Sequence, residues 1–84
     1  MKVNFAEIRI PGIEQEEILD LRKQIGNYLY YQSQDLAGSE LGRNIYFSNG
    51  EIEIKEEEKK IIKDAVNVMY KSYVIKTAIN KLFT

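Results

Sequence analysis

The stretch Ile45-Tyr46-Phe47-Ser48-Asn49-Gly50-Glu51-Ile52-Glu53-Ile54 decides the fold of this 84-residue chain. Asn-Gly between alternating apolar residues is a strong signal for a two-residue hairpin loop. With Asn49 and Gly50 as that loop, Phe47 faces Ile52 and Ile45 faces Ile54. Those four apolar side chains share one face, and Tyr46, Ser48, Glu51 and Glu53 share the other. Parity therefore predicts a β-hairpin over 45–54. The rival reading is a short helix over 40–47, with Leu41 and Ile45 at i and i+4. Gly38, Ser39 and Gly42 interrupt the apolar pattern, so 35–42 reads as a loop.

N-terminal to this segment, Pro11-Gly12 reads as a turn. Before it, Ile8 and Ile10 alternate with Glu7 and Arg9, as in a strand. Val3 and Phe5 alternate on the opposite parity, which a bulge near Ala6 or burial of both faces would reconcile. After the turn, 14–33 reads as a helix. Glu14, Glu16 and Glu17 suit its N-terminal dipole, and Ile18, Leu21, Ile25, Leu29 and Gln32 form a stripe. Gly26 costs about 1 kcal/mol there relative to alanine. It marks either a close helix contact or a weak point.

C-terminal to the deciding segment, 56–82 reads as the clearest helix. Glu56, Glu57 and Glu58 open it, and Lys71, Lys76 and Lys81 close it with no acid after Asp64. As one rod it would be about 40 Å long, against a radius of gyration of roughly 12 Å for a domain of this size. It should therefore bend, break or project. At about 100° per residue, Ile61, Ala65, Val68, Ser72, Ile75, Ile79 and Leu82 make a core-facing stripe. Val66, Tyr70, Tyr73 and Thr77 make a second stripe, roughly 120–180° away. Two apolar faces on one helix call for a second partner, either from this fold or from another subunit.

These pieces predict one compact α+β domain over 1–84. Two amphipathic helices pack on a small antiparallel sheet of two or three strands, in the order strand, helix, hairpin, helix. The chain has room for one core only. Its exposed strand edges, over Val3–Ile10 above all, could accept a further strand from a partner.

The chemistry is constrained by absences. The chain has no cysteine and no histidine, which removes disulfides, thiolate metal sites and the commonest general base. Glu51 and Glu53 could act as an acid–base pair but read better as a solvated strand face. The acids Glu51, Glu53, Glu56, Glu57 and Glu58 lack the glycine-centred spacing of a calcium loop, and Lys55, Lys59 and Lys60 offset them. Neither an enzyme, a cofactor nor a metal is expected. No apolar run reaches the length of a membrane span. The polar N-terminal segment does not resemble a signal peptide, so a cytoplasmic location is expected.

The stretch 45–54, with the following Glu56-Glu57-Glu58-Lys59-Lys60-Ile61-Ile62-Lys63-Asp64-Ala65-Val66, resembles patterns in small proteins of bacterial prophages and mobile elements. That resemblance covers a minority of the chain and assigns no functional residue. It implies helix rather than hairpin before Asn49, and an accessory role beside larger assembly or replication machinery.

The leading functional expectation is a non-catalytic interaction module. It would self-associate, as a dimer, or bind a protein partner through Val66, Tyr70, Tyr73 and Thr77. Tyrosine suits such a surface because it joins apolar area to a polar tip. The alternative is a nucleic-acid accessory protein using Lys59, Lys60, Lys63, Lys71 and Lys81, which share one side of the same wheel. The net charge of −1 gives that alternative no bulk electrostatic support.

Overall fold

The computed structural model describes residues 1–83. Along the chain run β1 (Lys2–Val3), β2 (Ile8–Pro11), β3 (Glu16–Leu19), α1 (Arg22–Gln32), α2 (Leu36–Tyr46), β4 (Ile52–Glu53), α3 (Glu56–Met69) and α4 (Tyr73–Leu82). The α+β class is as expected, with four helices and two antiparallel sheets of two strands each among the described residues. β1 pairs with β4, and β2 pairs with β3.

The deciding segment is not a hairpin. Its first two residues end α2, and Ile52–Glu53 pairs with Lys2–Val3 at the other end of the chain. Asn49-Gly50 is still a turn, with Gly50 at φ 88°, but it joins a helix to a strand. The loop expected over 35–42 is helix as well. Asp35 caps it by accepting a hydrogen bond from the Gly38 N–H at 2.9 Å, which satisfies an amide that the helix itself leaves free.

The glycines read as breakers are contact points. A Cβ on Gly26 would lie 2.8 Å from the Gly42 carbonyl oxygen, and one on Gly42 would lie 2.7 Å from that of Gly26. The backbones of α1 and α2 meet there, so of the two readings of Gly26 the close helix contact is the observed one. Leu41 and Ile45 point inward and are buried with Ile25 and Leu29 of α1.

The helix expected over 14–33 begins only at Arg22. Residues 16–19 instead form β3, closing a hairpin on β2 through a turn in which the Gly12 N–H donates to the Gln15 carbonyl at 3.0 Å. The parity change before Pro11 is a full turn rather than a bulge. Asn4 accepts from the Glu7 amide through its carbonyl and from the Ala6 amide through its side chain, and this separates β1 from β2.

The long C-terminal helix breaks at Tyr70-Lys71-Ser72. Tyr70 adopts an extended backbone, and the Ser72 hydroxyl accepts from the Ile75 N–H to start α4. The break lets α4 fold back beside β2 and α3, giving a radius of gyration of 12.1 Å. Upstream of the break, α3 presents to the core a face rotated from the expected stripe. Ile62, Ala65 and Val66 are the buried face of α3, while Val68, expected on the core stripe, is exposed. Ser72, expected on the same stripe, is a cap.

Every layer contributes to one core, with Phe5, Ile25, Ile45, Ile54, Ile62, Val66 and Ile79 fully buried. Polar clamps hold its edges. Arg22 binds both Asp20 carboxylate oxygens and donates to the Ser48 carbonyl at 2.7 Å, tying the start of α1 to the end of α2. That guanidinium holds the Asp20 carboxyl below the usual carboxylate range. The N-terminal ammonium donates to the Ile54 carbonyl and lies 2.7 Å from a Glu53 carboxylate oxygen, closing the β1–β4 pair.

Candidate functional site

The four residues expected on one interaction stripe divide at the break. Val66 lies inside the protomer with no exposed surface, so it cannot meet a partner. Tyr70 is half-buried, and its hydroxyl donates to the Gln24 side chain at 2.7 Å. This bond latches the α3–α4 junction onto α1, and burial pushes the phenol up to about 12. Both are structural residues: Val66 lies on the face that α3, upstream of the break, buries in the core, and at the break Tyr70 is held against α1. Tyr73 and Thr77 are different. Tyr73 keeps 79% of its surface exposed, and Thr77 lies one turn on with partial exposure.

These two residues line a groove that no single element could form. Its floor and one wall come from β2 and its turn, with Ile10, Pro11, Gly12 and Gln15. The other wall is α4, with Tyr73, Val74, Thr77 and Ala78. The groove measures about 750 Å³, within the range of binding clefts. Arg9 and Glu16 border it and pair with each other at 2.9 Å. On the same hairpin, Ile13 is fully exposed at the turn and Ile18 is exposed beside Arg9. The sequence reading missed the hairpin wall because Glu14, Glu16 and Glu17 were assigned to a helix start. The available signal was Pro-Gly followed by a short polar stretch, which suits a strand reversal as well as it suits a helix entry.

The five lysines do not form a stripe. Lys59, Lys60 and Lys63 stand on α3, Lys71 lies in the break, and Lys81 is on α4 beyond it. Lys59 pairs with Glu56 at 2.7 Å and Lys60 with Asp64 at 2.9 Å. The wheel that aligned them assumed one uninterrupted helix.

A second concavity lies on the outer side of the α1–α2 pair. Tyr30, Tyr31, Tyr46 and Phe47 line it, with Asn27 and Arg43. The hairpin reading had placed Phe47 inward against Ile52, whereas it is 70% exposed. The rival helix, taken one step further, puts Arg43, Tyr46 and Phe47 opposite the buried Leu41 and Ile45.

Among the described residues no group of three or more acids could hold a metal ion. No helix of the described residues is long and apolar enough to cross a membrane. No protein-family model matches the chain, and no curated protein or solved structure is significantly similar to it.

Proposed function

We propose that the chain is a non-catalytic interaction module that associates with a second copy of itself through the groove between α4 and the β2–β3 hairpin. The carrying observation is Tyr73, largely exposed on a helix whose opposite side delivers Ile79 to the core. Scattered surface apolar residues need no explanation. Tyr73 and Val74 instead line one concavity together with Ile10 and Pro11, and exposed apolar residues gathered at a concavity mark interaction surfaces.

Charge complementarity favours a second copy as the occupant. Besides Glu16, which pairs with Arg9, the turn and β3 carry Glu14 and Glu17, whereas the chain after Asp64 carries Lys71, Lys76 and Lys81 and no acid. A two-fold axis sets the hairpin of one protomer against α4 of its partner twice over, using the same patch on both. A standard interface takes about 800 Å² per partner, roughly a seventh of the 5822 Å² surface.

Sedimentation equilibrium tests this. The wild-type chain should show twice the 9.8 kDa protomer mass, and Tyr73→Glu should restore the protomer mass without unfolding. A wild-type chain that remains a monomer at submillimolar concentration overturns the reading.

A further inference from the structure

The aromatic cleft on the α1–α2 pair is separate from the α4 groove, and its composition differs from that of an ordinary apolar patch. It holds about 440 Å³, and no aliphatic side chain lines it. Its apolar surface is four rings in two edge-to-face pairs. Tyr30 and Tyr31 stand 5.0 Å apart at 87°, and Tyr46 and Phe47 stand 4.9 Å apart at 72°. Tyr31 and Phe47 are 75% and 70% exposed, so one ring of each pair offers a free face to solvent.

The glycine contact explains this arrangement. At Gly26 a Cβ would lie 2.8 Å from Tyr46 Cβ, so the missing side chain lets α2 close onto α1. The bulky residues flanking that contact are left on the outer rim.

The charges point to an anionic occupant. Of the three arginines, Arg9 is paired with Glu16 and Arg22 with Asp20. Arg43 borders the cleft and makes no ion pair among the described residues. Lys23 sits over the Tyr46 ring at 5.9 Å. No acid lines the cleft, and Asn27 supplies an amide that can both donate and accept.

We infer that this cleft binds single-stranded nucleic acid, with bases stacked on Phe47 and Tyr31 and phosphates drawn to Arg43 and Lys23. Rings that tolerate any base face, with cations beside them, are the components of such platforms. A protein helix seated here would look for aliphatic pockets, and the cleft has none. The slightly negative chain predicts weak binding confined to this patch rather than bulk attraction.

Fluorescence anisotropy with the full chain and a labelled oligothymidylate of about ten nucleotides provides the test. Binding should be detectable at low salt. Two neutralised phosphates predict a log–log salt slope of about −1.4. Phe47→Ala should weaken binding roughly tenfold, and Arg43→Gln should reduce the slope to about −0.7. Both residues are exposed, so circular dichroism should show the fold intact. Absence of binding at low salt overturns the inference. So does binding that survives both substitutions, or that is lost instead on Lys59→Gln with Lys63→Gln. Equal competition by an oligoglutamate peptide would assign the cleft to an acidic protein and overturn it too. The oligomer test at Tyr73 is independent of all these outcomes.

Discussion

The two helical pairs of this domain are joined in opposite ways. α1 and α2 meet backbone to backbone at Gly26 and Gly42, and nothing larger than hydrogen fits between them. α3 and α4 meet through side chains. A polar contact between them is a long hydrogen bond of 3.4 Å, donated by the Asn80 amide to Asn67, and Asn80 Oδ1 is buried without a partner among the described residues. The first pair is fixed by shape, and its large residues are displaced to an outer rim. The second pair shares the buried core of Ile62, Val66 and Ile79, has its junction latched onto α1 by Tyr70, and leaves the outward side of α4 uncovered. Tight backbone contact and an uncovered helix face are two routes by which so small a fold exposes aromatic surface.

The comparison breaks most visibly at the glycines. Gly42→Ala puts a methyl 2.6 Å from the Tyr30 amide nitrogen, a backbone atom that cannot swing aside. Overpacking of this kind costs about 1–3 kcal/mol, and the better helix propensity of alanine returns about 1 kcal/mol at most. Urea denaturation should show a net loss; unchanged stability would mean that the helices do not meet as described. The looser pair should respond less. Ser72→Ala removes the hydroxyl that caps α4 and should cost about 1 kcal/mol, read by the same titration. Tyr70→Phe removes the bond to Gln24 and should cost about 0.5–1.5 kcal/mol. It should also abolish a tyrosine that ionises near pH 12 in an ultraviolet titration.

That high folded-state value sets the sign of the alkaline response. With the phenol pKa raised from 10.0 to about 12, its contribution is complete below pH 10 and disappears as pH rises through about 12. Glu53 runs the other way. The N-terminal ammonium lowers its folded-state pKa below the usual 4.5. Its contribution is therefore present above that value and is lost as pH falls through the lowered one. N-terminal acetylation should remove this acid dependence, the smallest effect expected here because the pair is exposed.

Much of the architecture was legible because local charge and caps agree with the fold. Glu56, Glu57 and Glu58 mark the start of α3, and the excessive length of a continuous rod called for a bend, a break or a projection, of which the break is observed. The 45–54 segment was misleading because parity cannot reveal which strand pairs with which. Ile45 and Ile54 are both buried, as a hairpin requires, yet Ile52 finds Val3 across the chain. Gly38 and Gly42 look like breakers until α1 lies beside them, and that neighbour is invisible locally. The site was half legible for the same reason. Tyr73 and Thr77 keep the outward face assigned to them, while Val66 sits on the face that α3 itself buries and Tyr70 is drawn to α1 at the break. Tyr30, Tyr31 and Tyr46 stand out as tyrosines in the sequence. Their meeting with Phe47 and Arg43 depends on the helix that parity argued against.

Contacts across the dimer test the central claim most directly. Isotope-filtered nuclear Overhauser spectra of mixed labelled and unlabelled protomers should connect Tyr73 and Val74 of one protomer with Ile13 and Ile18 of the other. Intermolecular contacts made only by the aromatic rim of α1 and α2, or no such contacts at all, would contradict it.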